Sequence, residues 1–211
     1  MAKVGASFAR RERSALCDLL ADLGPDAPTL CEGWRSADLA AHLFIRDHRP
    51  DAQPGMSLKF APMRAWTKRV QDGARDTLTW DALIRKVRAG PAPLVRPFDK
   101  ALNTLEFFVH HEDLRRAQTG WEPRLLAPED ETALWSRTGY LRTKALVSSR
   151  ILHQPPSASR LEAPGKPPLL LTKTGEGTVV KGPVGELVMW LNGRKQAALV
   201  ETTVPGSLNP V

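Results

Sequence analysis

The stretch that decides the fold is LEFFVHHEDLRRA, residues 105–117. Apolar residues repeat through it at helical spacing, and the sequence predicts a helix that is capped near Asp99 and runs to about Gln118. Residues four apart lie one turn above each other, so Glu106 and His110 project from one face. A carboxylate and an imidazole at this spacing can bind one divalent cation, but two ligands hold a metal weakly. A third ligand must come from another element.

The best candidate for that ligand is His42, within DLAAHL, residues 38–43. Small residues in this segment permit close approach to a neighbouring helix, and a histidine between alanine and leucine is costly to bury without a partner. Asp38 and Arg46 lie one turn to either side of it, which makes this face polar. His42, Glu106 and His110 would form a two-histidine, one-glutamate set whose fourth position stays open, as in catalytic zinc sites.

Alternatives to this metal centre remain open on the residues alone. A histidine on a helix can be hydrogen-bonded in the core, and the Glu106–His110 pair can be a simple ion pair of a few tenths of a kcal/mol. His48 and His111 compete as ligands, although regular helices would point both away from this face. The free cysteines Cys17 and Cys31 are not in a metal-binding or redox spacing, but His111 or Cys31 as a fourth ligand would close the site.

Working outward, periodic segments joined by Pro/Gly loops predict a mainly α, antiparallel bundle of five or so helices. The first predicted helix covers 8–23 and ends at Gly24-Pro25, and the second is capped by Ser36 and ends before Pro50. Two more are predicted over 62–70 and 79–89. The helix from Asp99 follows, and a last one begins at Pro128 and runs through Trp135, Tyr140 and Val147.

After residue 152 the period changes from helical to β-like. Short strands are predicted at 169–173, 178–181 and 197–202, with a helix opened by Pro183 and closed by Asn192-Gly193. His153 falls in a Pro-flanked loop. We therefore predict two domains, a helical bundle over 1–152 and a small α+β lobe over 153–211.

Composition excludes several classes of protein. Lys+Arg is 30 and Asp+Glu is 23, which gives a net charge of +7. The cations are scattered and aromatic side chains are few, so we predict a basic surface that attracts anionic metabolites rather than nucleic acid. Apolar runs are too short for a membrane span, and the N-terminus carries no apolar signal core, so we expect a soluble, cytoplasmic chain. Its oligomeric state has no sequence signal.

The motifs as a set resemble the mycothiol-dependent maleylpyruvate isomerase family, which belongs to the DinB-like metal-binding four-helix bundles. The resemblance is carried by WRSADLAAHL (34–43), by Glu106-x-x-x-His110-x-x-Asp113-x-x-Arg116-Ala117, and by VKGPVGELVMWLNGR (180–194). Within that family, TLCEGW (29–34) and FVHHED (108–113) are most similar to an actinobacterial subgroup of uncharacterised metal-binding proteins.

The resemblance implies metal ligands at His42, Glu106 and His110, and a C-terminal arginine, Arg194, that meets an acidic substrate. It implies one divalent cation, with zinc expected and nickel, iron or manganese also fitting this donor set. It further implies mycothiol as a thiol cosubstrate in an isomerase or S-transferase acting on a small electrophilic or anionic substrate. A non-catalytic metal-binding or sensor module and a metal-dependent hydrolase are the alternative classes.

Chemistry assigns roles to residues around the ligands. Arg46 is a candidate for binding a substrate carboxylate by paired hydrogen bonds. Asp113, one turn past His110, is a candidate for orienting the His110 ring, with an ion pair to Arg115 or Arg116 as the alternative. For Arg194, the alternative is stabilisation of a helix C-terminus.

Overall fold

The computed structural model describes residues 7–57, 60–91, 96–139, 142–143 and 158–204. The described chain is mainly helical, with a small four-stranded sheet, as the sequence predicts. It forms two compact units, Met1–Glu122 and Pro123–Val211. None of the helices in the described ranges combines the length and the apolar character needed to cross a membrane.

Among the described residues, the first unit holds the five predicted helices in order, with longer bounds in places, and one short helix that the sequence does not predict. They are α1 (Phe8–Leu23), α2 (Ser36–His48), α3 (Pro54–Ser57), α4 (Ala61–Thr77), α5 (Trp80–Ala89) and α6 (Arg96–Arg115). Gly24 ends α1 at a φ of 79°, and its N–H donates to the carbonyl of Leu20. Thr79 caps α5 by accepting a hydrogen bond from the N–H of Ala82 at 3.3 Å.

Two predicted helix starts are wrong. Ser36 is the first residue of α2, and its hydroxyl donates to the carbonyl of Gly24 instead of capping the helix. The side chain that caps this helix end is Asp38, whose carboxylate accepts a hydrogen bond from the N–H of Arg35, the residue before the helix, at 3.0 Å. Helix α6 already includes Arg96, so Asp99 lies inside the helix and does not cap it.

The core of the first unit lies between α1, α2, α5 and α6. Helix α1 packs on α5 and α6, while α2 packs on α4 and α5. Large aliphatic and aromatic side chains fill the centre with little or no exposure, each worth about 1.5–3 kcal/mol of burial. They include Leu16, Leu20, Leu39, Leu43, Leu83, Phe107 and Leu114.

The second unit holds a sheet of order β2-β1-β3-β4, with one parallel pair, β1–β3, between two antiparallel ones. Its elements are α7 (Pro128–Trp135), β1 (Arg160–Glu162), β2 (Leu169–Leu170), β3 (Val179–Lys181), α8 (Val184–Leu191) and β4 (Glu201–Thr203). Strand β1 was not predicted, because three residues carry no detectable period. The predicted strand over 169–173 is shorter, and the one over 197–202 begins later.

The boundary between the units falls at Pro123 rather than at the predicted residue 153. Helix α7 belongs with the sheet: the indole N–H of Trp135 donates to the carbonyl of Pro167 at 3.2 Å, and Lys166 Nζ donates to Thr132 Oγ1 at 2.8 Å. Helical periodicity does not say which core a helix packs on, which explains the difference. Tyr140, Val147 and His153 lie outside the described residues.

Candidate metal centre

Three side chains from two helices meet at one carboxylate oxygen. Glu106 Oε1 on α6 lies 3.2 Å from His42 Nε2 on α2 and 3.2 Å from His110 Nε2, one turn further along α6. The three ligand atoms all lie within 4.8 Å of one another. The structure thus brings together the three residues that the sequence nominated as ligands.

Local sequence explains how His42 reaches α6. The residues that precede it, Leu39, Ala40 and Ala41, are fully buried, and two of them are small. The His42 ring lies 5.1 Å from the ring of Trp34 and 5.2 Å from that of His110, measured between centroids. Trp34 also packs against the core, so it holds the imidazole from the loop side.

The centre is partly open to solvent. The side chains of His42, Glu106 and His110 are 14%, 25% and 11% exposed. Among the described residues, no fourth ligand atom joins these three.

Burial and hydrogen bonding set the protonation of each group. Burial lowers the pKa of His42, so this ring is neutral at pH 7, the form that binds metals. Burial alone would raise the pKa of Glu106, but hydrogen bonds from His110 and His42 hold it well below its usual value. Burial likewise opposes the charged form of His110, yet hydrogen bonds to Asp113, Cys31 and Glu106 raise its pKa well above the usual value. Without a cation, the carboxylate is ionised between two ring nitrogens.

Asp113 lies beside Nδ1, the ring nitrogen of His110 that does not face Glu106. Its Oδ2 lies 3.0 Å from His110 Nδ1, and its side chain is fully buried. A carboxylate that accepts from Nδ1–H leaves Nε2 as the ligand atom and fixes the ring. Arg115 and Arg116, the alternative partners named above, contact Glu112 at 2.7 and 2.6 Å.

Cys31 also contacts this carboxylate. Its Sγ lies 3.2 Å from Asp113 Oδ2 and 4.0 Å from His110 Nδ1. The loop between α1 and α2 is anchored here, because the N–H of Leu30 donates to the carbonyl of Asp113 at 2.9 Å. The sequence offers Cys31 only as a possible fourth ligand, and nothing in its spacing indicates that this loop lies against α6.

Arg46 lies on the His42 face, as expected from one helical turn. Its Nε is 3.5 Å from Glu106 Oε1 and donates to Asn103 Oδ1 at 3.3 Å. Asn103 in turn donates to Asp47 Oδ1 at 3.2 Å. Arg46 therefore contributes positive charge beside the centre, and its side chain remains 26% exposed toward solutes.

The competing histidines have other partners. His111 Nδ1 lies 2.9 Å from Glu12 Oε2 in a buried pair with α1, and His48 Nδ1 lies 3.1 Å from the carbonyl of Phe44. Arg194 belongs to the second compact unit, where its Nη1 donates to the carbonyl of Asn192 at 2.6 Å, just after α8. The structure places that contact at a helix C-terminus.

Comparison of the chain with models of protein families, with curated proteins and with solved structures finds no match.

Proposed function

We propose that this protein binds one divalent cation through His42, Glu106 and His110. The observation that carries the proposal is the convergence of two ring nitrogens on one carboxylate oxygen, at 3.2 Å each, in a partly open position. Nitrogen and oxygen ligands of one zinc ion, at bonds of about 2.0–2.2 Å, lie about 3.4 Å apart in tetrahedral geometry. Zinc fits this donor set best, and nickel, iron or manganese also suit it.

We further propose that the first unit is a DinB-like antiparallel four-helix bundle and that the chain is related to mycothiol-dependent maleylpyruvate isomerases, within their actinobacterial metal-binding subgroup. The resemblance of residues 34–43, 106–117 and 180–194 supports this, and so does the position of the nominated ligands on two different helices. This relationship favours a cytoplasmic enzyme.

The activity that we propose is thiol-dependent isomerisation or S-transfer, with mycothiol as cosubstrate. A bound divalent cation would supply acidification of a thiol ligand, which makes a thiolate nucleophile available at neutral pH. Asp113 accepts a hydrogen bond at His110 Nδ1 and so directs Nε2 toward the centre. Arg46, half-buried beside Glu106, offers positive charge to a substrate carboxylate.

Arg194 is proposed to meet the acidic substrate, on the resemblance alone. Arg194→Ala should then lower turnover and leave cation binding unchanged. If Arg194 instead only stabilises the end of α8, turnover will be unaffected while the second unit becomes slightly less stable.

Zinc titration of the metal-free, full-length protein tests the cation proposal. His42→Ala and Glu106→Gln should each lose one equivalent relative to wild type, because two remaining ligands hold zinc poorly. His48→Ala is the matched control: it removes a histidine from the same helix whose ring contacts a backbone carbonyl, and its stoichiometry should equal that of wild type. Unchanged stoichiometry in both ligand variants would exclude the site.

Calorimetric titration of the zinc-loaded protein with mycothiol tests the choice of thiol. Binding that disappears in His42→Ala supports thiol chemistry at the centre. No binding together with turnover of esters or amides would assign a metal-dependent hydrolase, in which water takes the open position. No binding and no turnover would leave a metal-binding or sensor module.

A further inference from the structure

A second group of potential ligands lies on the far side of the His110 ring. Asp113 Oδ2 lies 3.2 Å from Cys31 Sγ and 3.0 Å from His110 Nδ1, and the sulfur and the nitrogen are 4.0 Å apart. All three atoms therefore lie within 4.8 Å of one another. His110 and Asp113 are buried, whereas Cys31 is partly exposed. We call this set the thiol cluster.

The thiol cluster does not have the geometry of a nucleophilic cysteine with its base. In such triads one ring nitrogen faces the nucleophile and the other faces the acid that orients the ring. Here Cys31 and Asp113 both lie at Nδ1, and Nε2 faces Glu106 at 3.2 Å. The arrangement places three donor atoms around one point instead of aligning them in a relay.

The spacings match those around a tetrahedral cation. Bonds of about 2.3 Å to sulfur, 2.0–2.1 Å to nitrogen and 2.0–2.2 Å to oxygen place ligand atoms about 3.4–3.6 Å apart. The observed separations, 3.0 to 4.0 Å, lie on both sides of that range, so shifts of a few tenths of an ångström suffice. Sulfur, imidazole and carboxylate together favour a thiophilic cation such as zinc over magnesium or calcium.

We propose that Cys31, His110 and Asp113 bind a second divalent cation of the thiophilic class, with His110 offering Nδ1 to this site and Nε2 to the first. On binding, the thiol proton and the Nδ1 proton that Asp113 accepts in the cation-free protein pass to solvent. The thiolate, the carboxylate and the His110 imidazolate, which the two cations share, then supply the negative charge. The two sites are then adjacent and share one imidazole ring.

The loop that carries Cys31 is held in position before any cation binds. The N–H of Leu30 donates to the carbonyl of Asp113, and the N–H of Cys31 donates to Thr29 Oγ1 at 3.2 Å. The N–H of Trp34 donates to the carbonyl of Cys31 at 2.9 Å. Sulfur is thus presented to α6 by backbone contacts, which lowers the ordering cost of binding.

Cobalt(II) titration of the metal-free, full-length protein tests the proposal, because cobalt bound to thiolate gives a charge-transfer band that nitrogen and oxygen ligands do not give. Wild type should bind two equivalents, one with the thiolate band. Cys31→Ser should lose the band and one equivalent. His42→Ala should keep the band and lose the other equivalent, so the two sites are distinguished. Asp113→Asn, which preserves side-chain shape, should lose the band.

Cys17 provides the matched control. Its thiol is buried in the core, 4.0 Å from the carbonyl of Ile84, so Cys17→Ala should keep the band. Absence of the band in wild type, or its presence in Cys31→Ser, would overturn the proposal. Loss of all cobalt in both Cys31→Ser and His42→Ala would also overturn the proposal, because that result would indicate a single site to which both residues contribute. If His42→Ala instead binds as much cobalt as wild type, the first site fails and the thiol cluster stands.

Discussion

A buried ion pair joins α1 to α2, one of the two helices that carry the candidate centre, and its loss should destabilise the first unit strongly. Arg13 Nη2 on α1 lies 3.0 Å from Asp47 Oδ2 on α2, with side chains only 5% and 3% exposed. Asn103 on α6 donates to the other oxygen of Asp47, and the Arg13 guanidinium lies 4.3 Å from the centroid of the Phe107 ring. One pair thus contacts α1, α2 and α6.

Asp47→Ala removes the carboxylate that faces the buried Arg13 guanidinium. Breaking a buried pair in this way costs about 3–5 kcal/mol, a large part of the roughly 5–15 kcal/mol that stabilises a typical domain. The matched control is Asp18→Ala on α1, which breaks the Arg88–Asp18 pair at 2.7 Å. Those side chains are 40% and 64% exposed, so the expected cost is at most about 1 kcal/mol.

Hydrogen exchange of the full-length protein, followed in peptides from α1 and α6, measures this difference within the first unit. The opening free energy should fall by about 3–5 kcal/mol in Asp47→Ala and by at most about 1 kcal/mol in Asp18→Ala. The double variant Arg13→Met with Asp47→Leu should recover most of the loss, because it buries no charge. Equal, small effects of the two single variants would refute the argument.

Three further predictions concern single groups. Asp113→Asn should weaken zinc binding at His42, Glu106 and His110 by about 10–100-fold, because His110 loses the carboxylate that orients its ring. A competition titration against a chelator measures this change, and an unchanged zinc affinity would contradict the orienting role of Asp113. Burial raises the pKa of the Cys17 thiol to about 11, so alkylation of Cys17 in the native protein should be negligible near neutral pH and rise only as the pH approaches that value. A rate like that of a free thiol at neutral pH would show that this side chain is accessible. A hydrogen bond from the neighbouring Arg49 lowers the pKa of Asp51 to about 2. The folded-state pKa is thus below its unfolded value, so the pair stabilises the fold above about pH 4 and loses this effect as the pH falls toward 2. An NMR titration of the Asp51 carboxyl should report that pKa, and it should return toward about 4 in Arg49→Gln.

The candidate centre could be predicted where its geometry is local. The spacing of Glu106 and His110 fixes their common face, and Asp113 follows one turn later on the same helix. The position of His42 was inferred from chemistry, since a histidine among small apolar residues needs a partner. These residues do lie together, with Glu106 at the middle.

The remaining features depend on contacts between segments that are distant in the sequence, and the periodicity of apolar residues carries no information about such contacts. Cys31 lies against Asp113 only because a loop is anchored to α6 through the backbone of Leu30. The pairing of Arg13 with Asp47 requires that α1 and α2 present charged residues inward, against the usual amphipathic pattern. Helix α7 lies in the compact unit of the sheet, whereas its sequence predicts it in the bundle, because helical periodicity does not identify the packing partner of a helix.

Diffraction from zinc-soaked crystals, recorded at the zinc absorption edge, tests the central claim most directly. We predict an anomalous peak about 2.0–2.2 Å from Nε2 of His42, Nε2 of His110 and a carboxylate oxygen of Glu106. The peak should be absent from crystals of Glu106→Gln grown and soaked in the same way. A wild-type map with no peak among these three atoms, under conditions in which zinc binds elsewhere on the protein, would contradict the account.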